Sequence, residues 1–189
     1  TQFTKEALCL PQDAFVFCCF NNNYKITTDV FDTWVRILKA VDASVLWLLE
    51  DNPTAAENLR KEAAQRGLDT VRLVFAKRME LPEHLARHTA ADLFLDTLPC
   101  NAHTTASDAL WAGLPVLTCM GESFAGRVAP SLLNAIGLSE LVTQTQADYE
   151  ELAIELATSP TKLRAIKNKL ERNRLTMPLF DTSLFTKHI

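Results

Sequence analysis

Short unbroken apolar runs, separated by amphipathic stretches, organise this chain. Residues 14–20 show no polar alternation, the pattern of a strand buried on both faces. Shorter apolar-rich segments at 44–49, 71–75, 92–96 and 116–119, the second holding Arg72 and the third bounded by Asp92 and Asp96, predict four more strands, and a short sixth is expected near Leu141 and Val142. The intervening segments have helical periodicity. Thr28 or Asp29 can cap a helix running to about Val41, with Val30, Trp34, Ile37 and Leu38 on one stripe. A second helix fits 53–66, with Pro53 in its first turn and Gly67 just past its end. A short helix over 81–88, another beginning near Thr104, and a third over 124–136 ended by Gly137 follow. Two helices over 146–158 and 160–175 close the pattern; from Met177 regularity is lost, and 177–189 is expected to be an irregular C-terminal tail.

Apolar strands alternating with amphipathic helices define an α/β fold: a Rossmann-like three-layer sandwich with a parallel sheet and right-handed crossovers. Such sheets bind ligands beyond the carboxyl ends of their strands. No repeat or linker divides residues 1–189, so a single domain is expected. An apolar share of 48% with 22% charged residues is that of a globular chain rather than a disordered one. The net charge of −4 and the lack of a Lys/Arg tract argue against a nucleic-acid partner, so an anionic ligand would have to be held by local groups. No apolar run is long enough to span a bilayer and the first residues do not read as a signal peptide, so no membrane partner is expected. The five cysteines form no CxxC or Cys/His metal spacing and read as reduced thiols of a cytoplasmic protein.

Candidate chemistry concentrates where the fourth strand hands over to its helix. His103, Thr104 and Thr105 sit at the expected helix start, where free N–H groups and the positive end of the macrodipole suit an anion. Asp108, four residues beyond Thr104 on about the same face, could accept from sugar hydroxyls. Lys25 ends the loop after the first strand and could neutralise a phosphate, with Asn22 as a second contact. His84 and Arg87 share a face of the short helix after strand three, where His could stack on a base and Arg could bind its carbonyl or a phosphate. Arg127 is a further candidate anion contact. Glycine-rich dinucleotide and Walker loops are missing, which argues against an oxidoreductase and a P-loop NTPase. No Asp-x-Asp pair or carboxylate cluster offers a hard-cation site. The expected chemistry is metal-independent departure of a nucleoside diphosphate, with no cofactor beyond the donor substrate.

Several of these segments resemble the C-terminal half of the catalytic region of O-linked N-acetylglucosaminyltransferases, the group that includes the SPINDLY proteins. The carrying motifs are Phe20-Asn21-Asn22-Asn23-Tyr24-Lys25-Ile26, Val45-Leu46-Trp47-Leu48-Leu49, Ala91-Asp92-Leu93-Phe94-Leu95-Asp96-Thr97, Cys100-Asn101-Ala102-His103-Thr104-Thr105 with Asp108, and Leu110-Trp111-Ala112-Gly113-Leu114-Pro115-Val116. Pro178-Leu179-Phe180-Asp181 is similar too. The resemblance implies the C-terminal, nucleotide-sugar-binding domain of a GT-B glycosyltransferase, with a UDP-GlcNAc-like donor and Ser/Thr of a protein as acceptor. It implies that Lys25 and the run His103, Thr104, Thr105 contact the diphosphate, Asp108 the ribose, and His84 and Arg87 the uracil. Asn22 then stands where the family often has Gln, and Cys100 lies beside the sugar. It further implies an N-terminal catalytic half, and tetratricopeptide repeats, outside this chain.

Two departures bear on the site. Ala102 and Ala106 flank the His-Thr-Thr run where the family often has glycine, and Leu81 stands where a lysine often precedes the base-facing histidine. Alternative readings are a GDP-fucose-using SPINDLY-type domain, one half of a nucleotide-sugar 2-epimerase, and a non-catalytic doubly wound binding module.

Overall fold

The computed structural model describes residues 2–188. Six strands form one sheet: β1 (Phe15–Cys19), β2 (Ser44–Leu49), β3 (Leu73–Ala76), β4 (Leu93–Leu95), β5 (Val116–Cys119) and β6 (Val142–Thr143). Their spatial order is β3-β2-β1-β4-β5-β6 and every pairing is parallel. The chain therefore winds outward from β1 in one direction and, after β3, returns to wind outward in the other. The topological switch lies between β1 and β4, which pair through Phe17 with Leu93 and Cys18 with Phe94. All six residues of β2 are buried, as a strand covered on both faces requires.

The helices are α1 (Thr28–Ala40), α2 (Pro53–Gln65), α3 (Leu81–Arg87), α4 (Thr104–Trp111), α5 (Val128–Ala135), α6 (Gln146–Thr158), α7 (Pro160–Asn173) and α8 (Thr182–His188). α1 packs on α6, and α4 on α3 and α5. The expected stripe of α1 is the one buried: Val30, Trp34, Ile37 and Leu38 are all inside. Trp34 Nε1 donates to Tyr149 Oη at 3.1 Å, and Tyr149 Oη donates to the Asp96 carbonyl at 3.0 Å, so a buried polar chain ties α1 through α6 to the end of β4.

Several expected boundaries move for identifiable reasons. The cap of α1 is Thr27, whose hydroxyl accepts from Val30 N, rather than Thr28 or Asp29. Asp69 accepts from Val71 N and holds a 3-10 turn over Thr70–Arg72, so β3 starts at Leu73 and runs one residue further. Arg72 then reaches back and donates to the carbonyls of Leu38 and Val41, each at 2.6 Å, at the C-terminal end of α1. The helix expected over 124–136 is split: Ser123 caps a 3-10 turn at Phe124–Gly126, and α5 begins at Val128. The expected irregular tail is corrected as well. A 3-10 turn at Pro178–Phe180 leads into α8, and the Phe180 ring packs edge-on against Trp111, with centroids 5.1 Å apart; Ile189 lies outside the described residues.

Candidate functional site

The loops after β1 and β4 leave the sheet side by side at the switch point, where doubly wound sheets bind ligands. Asn21 continues β1 into the interior and is 2% exposed, and a 3-10 turn at Asn23–Lys25 then turns the chain. Lys25 Nζ donates to the Asn101 carbonyl at 2.8 Å. The ammonium expected from the first loop thus arrives beside the turn that precedes α4.

That turn, residues 97–102, is built on one buried carboxylate. Asp96 Oδ1 accepts from Thr97 N at 2.8 Å and Ala102 N at 2.6 Å, and Oδ2 accepts from Thr118 Oγ1 at 2.7 Å. Thr97 Oγ1 donates to the Cys100 carbonyl and Asn101 Nδ2 to the Thr97 carbonyl, so the turn is closed on itself. Burial pushes the Asp96 carboxyl up to about 6 against the opposing pull of those hydrogen bonds. The loop after β5 braces the turn from outside: Asn101 N donates to the Ala125 carbonyl at 2.8 Å. This needs glycine at two facing positions. A Cβ on Gly126 would lie 3.0 Å from Gly121 Cα and 3.1 Å from the Pro99 carbonyl oxygen.

The turn delivers the chain into α4 at His103, the residue before its first helical position. Ala102 and Ala106 are wholly buried and neither has a positive φ. Alanine therefore fits without strain where the resembling family often has glycine.

Two adjoining cavities open along this edge. One of about 180 Å³ is lined by Asn21, Asn22, Tyr24, Lys25, His103, Thr104 and Thr105. The other, of about 250 Å³, is lined by Phe20, Asn22, Leu49, Arg78, Met79, Leu81, His84, Arg87 and Thr105. Asn22 and Thr105 belong to both. Seven expected site residues are thus brought together: Asn22, Lys25, His84, Arg87, His103, Thr104 and Thr105. Two are not. Cys100 lies in the turn with its thiol toward the Asn101 carbonyl at 3.9 Å, and Asp108 is half-buried one turn into α4; neither lines these two cavities. Burial raises the Asp108 carboxyl above its ordinary value. Arg127 is also outside, its Nε donating to the Gly121 carbonyl.

The two cavities differ in chemistry. In the smaller one His103 Nε2 is buried without a partner, and an unpaired polar atom on a cavity wall is what a ligand or water satisfies. Its wall includes the exposed Tyr24, at 77%, and the exposed Phe124 ring, at 84%, stands edge-on 6.5 Å from His103. In the larger cavity Arg87 is fully buried over the faces of Phe20 and Trp47 and donates to the Lys77 carbonyl and to His84 Nδ1, both at 2.6 Å. Its guanidinium backs His84 instead of standing free. Burial, reinforced by Arg87, lowers the His84 pKa to about 4, so the ring is neutral at physiological pH. A guanidinium only donates, so Nδ1 accepts and the ring proton sits on Nε2. Among the described residues nothing accepts from it. The cavity therefore presents a donor, suited to a base carbonyl. His88, read from the sequence as a neighbour on another face, is wholly buried under Phe20 and donates Nδ1–H to the His84 carbonyl at 2.7 Å.

Asn21 and Asp96 are the residues that sequence reasoning passed over. A signal existed: Asn21 directly follows the apolar run 14–20 and Asp96 closes the run 92–96, so both stand where a buried strand ends and a polar group needs internal partners.

A parallel sheet in this order, with a cationic, donor-rich crevice at its switch point beside an apolar-walled recess, defines a Rossmann-type α/β domain with its crevice where such domains take ligands. The family model of glycosyl transferase family 41 matches residues 2–189. A Caenorhabditis elegans UDP-N-acetylglucosamine–peptide N-acetylglucosaminyltransferase is 43% identical over 176 residues, covering 93% of this chain and 15% of that protein. A probable UDP-N-acetylglucosamine–peptide N-acetylglucosaminyltransferase, SEC, of Arabidopsis thaliana is 41% identical over 181 residues, covering 95% of this chain and 18% of that protein. Among solved structures, a K341M mutant of the Thermobaculum terrenum O-GlcNAc transferase superposes with a TM-score of 0.87 at 33% identity, over 94% of this chain and 36% of that one. The chain belongs to glycosyl transferase family 41, and its architecture is that of one half of a GT-B enzyme. It spans less than a fifth of the length of either relative.

Proposed function

We propose that this chain is the donor-binding domain of a protein O-glycosyltransferase that takes a UDP-GlcNAc-like nucleotide sugar and transfers the sugar to Ser or Thr of a protein. One observation carries the reading: the two cavities share Asn22 and Thr105, and they divide their chemistry as a nucleoside diphosphate does. The base enters the recess of Phe20, Leu81, His84 and Arg87, where His84 Nε2–H donates to a ring carbonyl. The diphosphate lies against Lys25, His103, Thr104 and the first N–H groups of α4. Transfer leaves negative charge on the departing diphosphate. The Lys25 ammonium and the α4 N-terminus are placed to stabilise that charge without a metal ion. The matching relatives carry names of this activity, which supports the same substrate class here.

Calorimetric titration with UDP-GlcNAc and GDP-fucose tests the reading. The expected result is binding of UDP-GlcNAc, with no or weaker heat from GDP-fucose. Preference for GDP-fucose would move the domain to the SPINDLY-type alternative, since guanine also offers a carbonyl to His84. Negligible heat from both would leave a binding module of another kind.

The acceptor site and the groups that work on the acceptor hydroxyl are proposed to lie in a further half of the enzyme. Residues 1–189 alone are then expected to bind nucleotide but transfer no sugar to a protein substrate. Robust transfer by that segment in a radiolabelled-donor assay would refute this division of labour.

A further inference from the structure

The polar groups at the head of α4 are not equally free to meet a ligand. Asp96 Oδ1 lies 3.5 Å from Asn21 and accepts from two backbone N–H groups as well, so it is an acceptor toward Asn21 too. The end of the Asn21 amide that faces it must be the NH2 group. The same Nδ2 donates to Thr97 Oγ1 at 2.8 Å, whose own hydrogen is committed to the Cys100 carbonyl. Asn21 Oδ1 therefore faces the other way, and it meets the hydroxyl of Thr105. Opposite a carbonyl oxygen the hydroxyl can only donate, and it has a single hydrogen. The polarity set by one buried carboxylate thus passes through Asn21 and fixes the direction of the Thr105 hydroxyl.

We infer that Asn21 and Thr105 form a positioning pair, anchored by Asp96, that sets the head of α4 against the residue 97–102 turn. Thr105 then serves the phosphate through its backbone and its placement, and its hydroxyl is not a phosphate donor. The inference rests on the proposed diphosphate site, and it deepens it: of the two threonines only Thr104 keeps a free hydroxyl for the ligand. A direct phosphate contact by Thr105 Oγ–H would require the hydroxyl to abandon Asn21 and leave a buried amide oxygen without a donor.

A double-mutant cycle separates the two possibilities. UDP-GlcNAc affinity is measured for the protein, for Asn21→Ala, for Thr105→Val and for the double variant, each checked for folding by its melting curve. Each single substitution is expected to weaken binding roughly 10-fold. The double variant should match the weaker single one, and Thr105→Ser should restore wild-type affinity. Losses that multiply, to roughly 100-fold, would overturn the pair. Hydrogen exchange without nucleotide supplies a second readout. Thr105 is half-buried, so Thr105→Val is the milder perturbation of the fold, and it should speed amide exchange across residues 97–102, to which its hydroxyl is linked only through Asn21. Unchanged exchange there would sink the inference even if Asn21→Ala failed to fold. Should the wild-type protein bind neither UDP-GlcNAc nor GDP-fucose, the proposed function falls, while the exchange measurement still decides the positioning role.

Discussion

Alanine in place of Asp96 should destabilise the protein by about 3 kcal/mol at pH 7.5 and by about 5 kcal/mol at pH 4.5, measured against wild type by urea unfolding at each pH. Three buried donors lose their acceptor: Thr97 N, Ala102 N and Thr118 Oγ1. Each stranded donor costs about 1–3 kcal/mol, or about 6 kcal/mol together. The pH dependence comes from the carboxyl itself, raised by burial from 3.8 to about 6. Between those values the folded chain holds a proton that the unfolded chain has lost. Stability from this group is therefore fully present below the unfolded value and is lost as pH rises through the folded one, by about 3 kcal/mol in all. Removing the carboxyl also removes that loss, so the substitution costs less at high pH. Asp96→Asn keeps an acceptor for the two backbone N–H groups and turns an NH2 toward Thr118 Oγ1. It should gain about 2 kcal/mol on wild type between pH 4.5 and pH 7.5. A variant with the wild-type slope would show that Asp96 does not titrate in this range, and an alanine variant within 1 kcal/mol of wild type at both pH values would remove it as the hub of the turn.

The sheet was legible because a strand buried on both faces announces itself as an unbroken apolar run, and 44–49 and 116–119 match β2 and β5 to the residue. Helices with strong caps were legible for a similarly local reason. Asn52 caps α2 through Ala55 N, Pro53 opens it, and Gly67, just beyond its end, has the positive φ that glycine tolerates. The boundaries that moved depend on contacts remote in sequence. Nothing near Phe124 tells that Gly126 must pass within van der Waals reach of Gly121 and Pro99, yet that approach shapes the split before α5. The segment after Met177 lacks a strong apolar period and orders against Trp111, more than sixty residues away.

The site divides the same way. The helix start after β4 was readable from free N–H groups and the His-Thr-Thr run, and the approach of Lys25 followed from the rule that loops at the carboxyl edge converge. The division of labour inside the crevice was not readable. Sequence pattern cannot say which of Asn21, Asn22 and Asn23 turns inward, and it gave the ligand role to Asn22 while the buried junction falls to Asn21. Nor can it say that Arg87 would spend its guanidinium on the Lys77 carbonyl as well as on His84, its neighbour on the same helix face, because the Lys77 acceptor depends on how the β3–α3 connection folds over Phe20. Composition fixes which groups exist; hydrogen-bond satisfaction in the packed interior decides which remain free for a ligand.

Lys25→Ala should weaken UDP-GlcNAc binding by about 1–3 kcal/mol, roughly 10- to 100-fold, as expected for a lost charged hydrogen bond. In the complete enzyme it should lower kcat/KM by roughly 10²- to 10³-fold, the range for removing one group aimed at developing charge. The second figure exceeds the first because the leaving diphosphate carries more charge in the transition state than in the bound donor. The fold itself should be nearly indifferent. Lys25 gives up one hydrogen bond to the Asn101 carbonyl from a half-buried position, while the turn keeps its anchor on Asp96. Its melting temperature should therefore stay within a few degrees of wild type, corresponding to less than about 1 kcal/mol. Uridine provides the internal control, because it fills the recess of His84 and has no phosphate to meet the ammonium. Equal losses for uridine and UDP would mean that the substitution disturbs the whole crevice, and Lys25 would lose its assignment to the diphosphate. A loss confined to UDP and UDP-GlcNAc, growing when the ionic strength is lowered, is the signature of a charge delivered from the first loop to the phosphates at the head of α4.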